Sequence, residues 1–451
     1  MLALIVFLVG AATAVYFYYR RNIDFWPSKG IPIPPADFFY GHAKELFKLH
    51  EPRILKYKEW GEKYGKTYGT NEGMVKCLVT SDFNMLQEIF VKQYDNFYSR
   101  KVNPLGPYPD DERMATLFNS RGMRWKRLRA ITAPSFSTNS LKKMFLRNLD
   151  MPLLYMNFIF PFLNGPTKFL LDNMNNELAR PRQMLFKEMG DAVHARIKKR
   201  EANATDSATT AAEDFIDLFL EQAVDGIHTD NNSDFKLSQS HVEKNLTVNE
   251  VIGQAVVFLL AGFDTTANAL GYTSWMLSKY PEIMKRCQEE VDEVCCEDNI
   301  SFEDLNNLRY VEATCKETLR FYPLGGFASS RTCMKTTTVC GMEIEKGITI
   351  QADVYAIHFD KEIWGEDADE FKPERWLDAD RRVPPMAYIP FGGGPRICVG
   401  MRLALMEEKL ALANILRKFN IVKGTEASEL DLQGSLTLTP VSVPVRIIPR
   451  E

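Results

Sequence analysis

The chain has 451 residues, 45% of them hydrophobic and 25% charged, with a formal net charge of -4. That length and apolar share suit a large buried core and exclude disorder as the governing state, and the absence of a long basic run excludes nucleic acid as the main partner. The eight cysteines, at 77, 287, 295, 296, 315, 333, 340 and 398, contain no CxxC pair and no Cys/His cluster at zinc spacing. Neither a disulfide framework nor a structural zinc site is expected, and all but Cys398 read as small buried hydrophobes.

The first 19 residues, MLALIVFLVGAATAVYFYY, carry no charge and are followed at once by Arg20 and Arg21. That run just spans a bilayer. No basic region precedes it, so we read an uncleaved, single-pass transmembrane anchor at 1–19 with the remaining chain cytosolic. Residues 20–43 form a basic, proline-rich linker containing PSKGIPIPP, expected to act as a stiff strut. Residues 44–451 then form one large domain, mainly α with small β-sheets.

Near its start, KTYGTNEGMVKCLVT reads as a hairpin punctuated by Gly69 and Gly73. The stretch from Asp150 to Leu171 is apolar but broken by Asn157, Pro161, Asn164, Gly165 and Pro166, so it is core or a membrane-dipping surface rather than a second span. A short helix is expected around Phe215 to Val224. Thr247 with Glu250 three residues on forms a capping box, and the apolar run behind it predicts a long helix to about Tyr280, crossing the interior. Its middle carries Gly262, Asp264, Thr265 and Thr266. Such polar groups either back-bond to nearby carbonyls or form a notch facing a ligand cavity.

Further on, ETLR places Glu317 and Arg320 on one helical face, and FKPERW supplies Arg375. A buried Glu317 held by both guanidinium forks would be a satisfied structural network, and a surface ion pair is the plain alternative. FGGGPRICVG, residues 391–400, is a tight loop delivering one thiol, Cys398, to the start of a helix, where the field favours thiolate. Three glycines mark backbone that turns sharply or approaches something closely.

In that order, AGFDTT, ETLR, FKPERW and FGGGPRICVG resemble the motifs of the cytochrome P-450 family of haem-thiolate monooxygenases, microsomal type. WKRLRAITAPSFS is most similar to the drug-oxidising and thromboxane-synthase branch. The resemblance covers about residues 27 to 450. It implies the cytochrome P-450 fold and heme b with an axial cysteine thiolate, Cys398 being the metal ligand. It also implies cofactor contacts from Arg396, Trp125, Arg129, Arg331, Arg100, Phe391, Gly392, Gly400 and Ala261. Thr265 and Asp264 would deliver protons in catalysis, and Glu317, Arg320 and Arg375 would form a structural triad.

The chain contains no GxGxxG fingerprint and no flavin or iron-sulfur cysteine pattern. The resemblance therefore implies an NADPH-cytochrome P-450 reductase as electron donor, with cytochrome b5 as a further one, docking on Lys126, Arg127, Arg402 and Lys409. The substrate would be a lipophilic small molecule, with Phe118, Phe258, Ala261, Phe327 and Ala328 as candidate cavity residues, and the location the endoplasmic reticulum membrane. One feature departs from the family. The helix carrying Trp125 should run to about Leu146, yet few residues separate it from the apolar stretch at Tyr155 to Leu163. The fourth and fifth helices are therefore expected to be shortened or missing around residues 145–165. The alternatives to a monooxygenase are a haem-deficient, non-catalytic variant and a same-fold peroxide isomerase or lyase. Asp264 and Thr265 argue against the isomerase, which needs no proton relay.

Overall fold

A computed structural model describes residues 2–48, 51–102, 115–133, 180–203, 215–223, 235–238, 242, 244–297, 299–378, 383–424, 428–434 and 437–450. The Asp150 to Leu171 stretch and the expected shortening at 145–165 lie outside the described residues.

Helix α1, Leu2–Ile23, is continuous through Arg20 and Arg21, four residues beyond the expected end of the anchor, because no helix breaker intervenes. Its apolar side chains from Leu4 to Phe17 are exposed. Its end is tied down: Asn22 donates to the Gly73 carbonyl at 2.9 Å and the Asn71 amide donates to the Asn22 carbonyl at 2.9 Å. The following stretch, expected to be a strut, is instead laid against the sheet. Trp26 is buried and donates from Nε1 to the Thr70 carbonyl at 3.1 Å. Gly69 lies under its ring, where any Cβ would overlap the indole. That contact explains a glycine in the middle of a strand.

The expected hairpin forms as β1, Thr67–Glu72, and β2, Val75–Thr80, paired antiparallel with Glu72 opposite Val75. Two later strands complete the main sheet, β3, Ser330–Thr332, and β4, Thr349–Ala352, in the order β1-β2-β4-β3. β2 and β4 run parallel, and β3 is antiparallel to β4. Under this sheet lies a core of Trp26, Leu78, Ile350, Phe90, Met386 and Ile389, which reaches to the base of the cysteine loop.

The longer helices are α2, Arg53–Tyr64; α3, Gly122–Thr132; α4, Arg180–Asn203; α5, Phe215–Leu220; α6, Val248–Lys279; α7, Pro281–Val294; α8, Arg309–Phe321; and α9, Met401–Leu416. Both halves of the Thr247–Glu250 capping box are present at the start of α6. Tyr280 ends that helix and Pro281 opens the next, as fixed φ and a missing N–H allow at a first helical position. The C-terminal half of α6, with Trp275, Met276 and Leu277, is buried against Met284 and Val291 of α7, Val311 and Cys315 of α8, and Leu412 and Leu416 of α9. Although α6 is long and apolar enough to cross a membrane, this packing marks it as a core helix.

Two expectations are corrected here. The middle of α6 is not buried all round: Ala261, Gly262, Phe263 and Ala267 are exposed, Phe263 by 42%. Cys296 and Cys340 are exposed rather than core hydrophobes. Cys340 occupies the tight turn of the hairpin Thr337–Val339 to Met342–Ile344, with φ of 46°, so the turn decides its exposure.

Candidate cofactor site

The cysteine loop is shaped by its own backbone. Gly392 has φ of 77° and Gly394 of 67°, both in the left-handed region. A Cβ on Gly394 would overlap the carbonyl of Phe90, and one on Gly393 would meet Met386 Sδ at 2.6 Å. Gly394 is thus required by the backbone beneath the loop, whereas Gly393 meets the movable end of the Met386 side chain. The Cys398 amide donates to the Phe391 carbonyl at 2.9 Å, closing the loop, and Gly400 caps α9 with an ordinary φ of -87°.

Cys398 is exposed. Burial of the surrounding loop nevertheless pushes its thiol up, opposed by the amides of Gly400 and Met401 and by the charges of Arg100 and Arg129. The helix start and the glycine amides therefore act in the expected direction, but desolvation outweighs them.

Beneath the loop, α8 brings Glu317 to full burial. Arg320 binds it with two bonds, Nε at 3.0 Å and Nη2 at 2.8 Å, while Arg375 Nε donates at 2.8 Å and Trp376 Nε1 at 2.9 Å. The expected triad forms, and a surface ion pair is excluded. A residue absent from the sequence reading joins it to the cysteine loop. Buried His358 accepts from the Ile389 amide at Nε2, 3.1 Å, and so donates from Nδ1 to the Arg320 carbonyl, 3.0 Å. Burial holds this imidazole neutral, with its pKa lowered to about 3. A lone histidine within VYAIHF carries no signal of this role in sequence.

Beside the loop, four guanidiniums converge from four parts of the chain. Arg396 belongs to the loop itself, Arg129 to α3, Arg331 to β3, and Arg100 follows Ser99, which bridges to Thr332 of β3. Among the described residues they donate to backbone carbonyls. Arg129 donates to Ile397 at 2.6 Å, Arg331 to Gly393 at 2.8 Å, Arg100 to Arg396 at 3.1 Å, and Arg396 to Tyr98 at 3.2 Å and to Ser120. The Arg396 guanidinium lies 4.9 Å from the ring centre of buried Trp125. None forms an ion pair with a carboxylate among the described residues, and Nε of Arg100, Arg331 and Arg396 is buried with no partner, as is the Tyr94 hydroxyl. Burial, aided by mutual repulsion, lowers these three arginines to about 9. Such a cluster is costly alone and is matched by a ligand carrying anionic groups. The carboxylates of a porphyrin fit that donor set.

On α6, the Thr265 hydroxyl donates to the Ala261 carbonyl at 2.6 Å, so the local back-bond forms. Asp264 bonds with Asn268 and Thr437, and burial raises its pKa. Phe118 and Phe327 come together at 5.8 Å, under the Arg100 guanidinium, whereas Phe258 packs against Phe219 at 5.9 Å. Phe391 packs in a cluster with Leu319 and Leu324.

Two of the four expected docking cations are corrected. Arg127 is buried and holds Glu250 with two bonds of 2.8 Å, and Lys409 is buried on the Leu305 carbonyl, 2.6 Å, and Glu312, 2.8 Å. Lys126 donates to the Leu237 carbonyl at 2.8 Å, and Arg402 is exposed. Burial of a charge depends on a distant acid, which local sequence does not display.

Fold and site together define a mainly helical protein with small sheets that offers one cysteine sulfur and a cradle for an anionic cofactor. A family model described as Cytochrome P450 matches residues 31–151 and 153–445. The Caenorhabditis elegans proteins provisionally named cytochrome P450 CYP13A10 and CYP13A3 are 39% and 37% identical to this chain. The first alignment covers 94% of this chain and 95% of the relative, the second 97% of each. CYP13A5 of the same organism, also provisionally named, is 36% identical over 517 aligned positions that take in 100% of this chain and 99% of its own. Since this chain has only 451 residues, that relative carries tens of residues with no counterpart here. The chain belongs to the cytochrome P450 family, whose general chemistry is haem-dependent mono-oxygenation.

Proposed function

We propose that the protein binds heme b and inserts one atom of dioxygen into a lipophilic substrate, with electrons from an NADPH-dependent reductase. The observation that carries this reading is the set of buried guanidiniums without an acid, gathered beside the one cysteine that the loop presents at a helix start. Arg100, Arg129, Arg331 and Arg396 would hold the propionates with Trp125, and Cys398 would supply the thiolate that binds the iron, its sulfur met by the amides of Gly400 and Met401. Bound there, haem would supply the iron at which dioxygen is activated.

The chain's own part is protons and exclusion of water. Asp264, whose pKa is raised, keeps a proton to higher pH than an ordinary carboxyl group. Thr265 directs its O–H at the Ala261 carbonyl and leaves oxygen lone pairs free to accept, so rotation of that hydroxyl passes a proton into the notch. Phe118 and Phe327 keep the approach apolar.

Helix α1 serves as a single-pass anchor in the endoplasmic reticulum membrane with the catalytic domain cytosolic, the compartment in which the reductase, and cytochrome b5, would reach it. A kinship with the drug-oxidising branch belongs to the same proposal. A second reading, impaired haem incorporation, is favoured by one observation. The family match breaks at residue 152, inside the region expected to lack its fourth and fifth helices, and the relatives carry residues with no counterpart here.

The reduced carbon-monoxide difference spectrum of the purified chain tests both. A red-shifted Soret band that Cys398→Ala abolishes is the expected result. No haem absorbance in the unmodified chain sinks the enzymatic reading and leaves the haem-deficient one. Product formation without reductase would instead indicate an isomerase or lyase.

A further inference from the structure

Near the C-terminus a short hairpin, in which Leu432–Gln433 pairs antiparallel with Thr439–Pro440, is laid against the polar part of α6. Leu438 docks it there: it is 3% exposed, packs with Ala269 and Tyr272 of α6 and with Leu324, and its amide donates to the Leu324 carbonyl at 3.1 Å. Gly434, at a φ of 108°, lets the turn close, since a Cβ there would overlap the Thr437 carbonyl. Thr437 and Thr439, on either side of Leu438, are thereby set beside Asp264 and Asn268, which stand one turn apart on α6.

Thr439 Oγ1 accepts from Asn268 Nδ2 at 3.4 Å and lies 3.3 Å from Thr437 Oγ1. Each hydroxyl has one proton to give. With Asn268 on a lone pair of Thr439, the Thr439 O–H is free to point at Thr437, and the Thr437 O–H at Asp264. Burial raises the pKa of that carboxyl group, and hydrogen bonds from Asn268 and Thr437 oppose it. Tyr272, two turns along α6, also feels Asp264, but its buried hydroxyl has no hydrogen-bond partner among the described residues and so stands outside the chain of donors. That chain runs one way, from Asn268 through Thr439 and Thr437 to Asp264, and both threonines are half-buried, with part of their surface open to water.

We propose that Thr437 and Thr439 reload Asp264 with protons from solvent, the hairpin serving as the inlet of the path that Thr265 continues. Asp264 gives its proton towards Thr265. Thr437 then passes its own proton to the carboxylate and takes one from Thr439, which takes one from water, so each hydroxyl ends as it began and one proton has moved inward. The need for that transfer rests on the haem-thiolate reading; the link between the hairpin and Asp264 does not.

The carbonyl stretch of protonated Asp264, assigned as the infrared band that Asp264→Asn removes, is titrated in the full chain as purified, with or without haem. Thr437→Val removes the hydroxyl and keeps the shape, so the carboxyl group should hold its proton about ten-fold more tightly, as loss of one charge-assisted hydrogen bond predicts. Thr437→Ser should restore the parent titration. In the haem-loaded chain Thr437→Val and Thr439→Val should each lower product formed per oxygen consumed about ten-fold, and Thr437→Ser should again restore it. An unchanged titration in Thr437→Val overturns the link, and full coupling in both valine variants overturns the relay. A chain without the carbon-monoxide band loses the reaction and the relay with it, while the infrared titration still decides the link.

Discussion

Single residues divide the proposed chemistry between an electron donor and a proton path. Cys398 is reached by a loop whose glycines answer to Phe90 and Met386, so the loop's geometry is set before any cofactor arrives. Among the described residues Thr265 is bonded to its own helix alone, which leaves its hydroxyl able to turn. Thr265→Ala should therefore keep the carbon-monoxide band and lower product formed per oxygen consumed. Loss of a positioned proton donor costs on the order of a hundred-fold in the step it serves, and parallel oxygen-electrode and product assays would read it. A coupled reaction in Thr265→Ala would remove the hydroxyl from the proton path. Cys398 and Thr265 are legible in sequence because each sits in a short local pattern. Tyr94 and His358 are not, because Tyr94 is brought beside Arg331 and Arg396 from far along the chain, and His358 beside the carbonyl of Arg320 and the amide of Ile389.

Among the elements, α8 carries the largest stake in stability. Glu317 is bonded by two buried guanidiniums, and Glu317→Gln should destabilise the fold by about 3–5 kcal/mol, the usual cost of breaking a buried pair. Thermal unfolding would show it, and a shift of a degree or less would return the triad to the status of a surface pair. Where α6, α8 and α9 meet, buried Glu408 accepts from Thr273 at 2.7 Å and bonds with Cys315, and burial pushes its pKa up to about 7. Below its ordinary value of 4.5 both folded and unfolded chains hold the proton, so nothing is lost. As pH rises from there to about 7 the unfolded chain gives it up first, and stability falls. Glu408→Gln should thus gain about 3 kcal/mol at neutral pH relative to the parent and nothing at acid pH. Denaturant unfolding at the two pH values checks the sign, and an equal effect at both would exclude a buried, protonated Glu408.

At the scale of the molecule, the open question is size. The family match breaks at residue 152, and relatives that align along the whole chain are longer than its 451 residues. Apolar helices that normally bury one another cannot be removed at no cost: at about 25 cal/mol per Å², even a few hundred Å² of lost burial rivals a domain's net stability. Inserting at position 152 the segment that the relatives carry should therefore raise the haem bound per chain, measured by pyridine haemochrome absorbance, and raise the midpoint of thermal unfolding. Equal haem content with and without the segment would show that the short chain packs its bundle by other means.

Sequence by itself determined the mainly helical class, the apolar N-terminal helix, the capped long helix, the Glu317 network and the glycine loop that ends on Cys398, because each is written in periodicity, caps or a compact motif. The tertiary structure decided which charges are free. Arg127 and Lys409 vanish into pairs with Glu250 and Glu312, while buried Arg331 and Arg396 and half-buried Arg100 have no acid to meet them among the described residues. Whether an ion pair forms depends on distances between residues far apart in the chain, and only the folded backbone sets those distances.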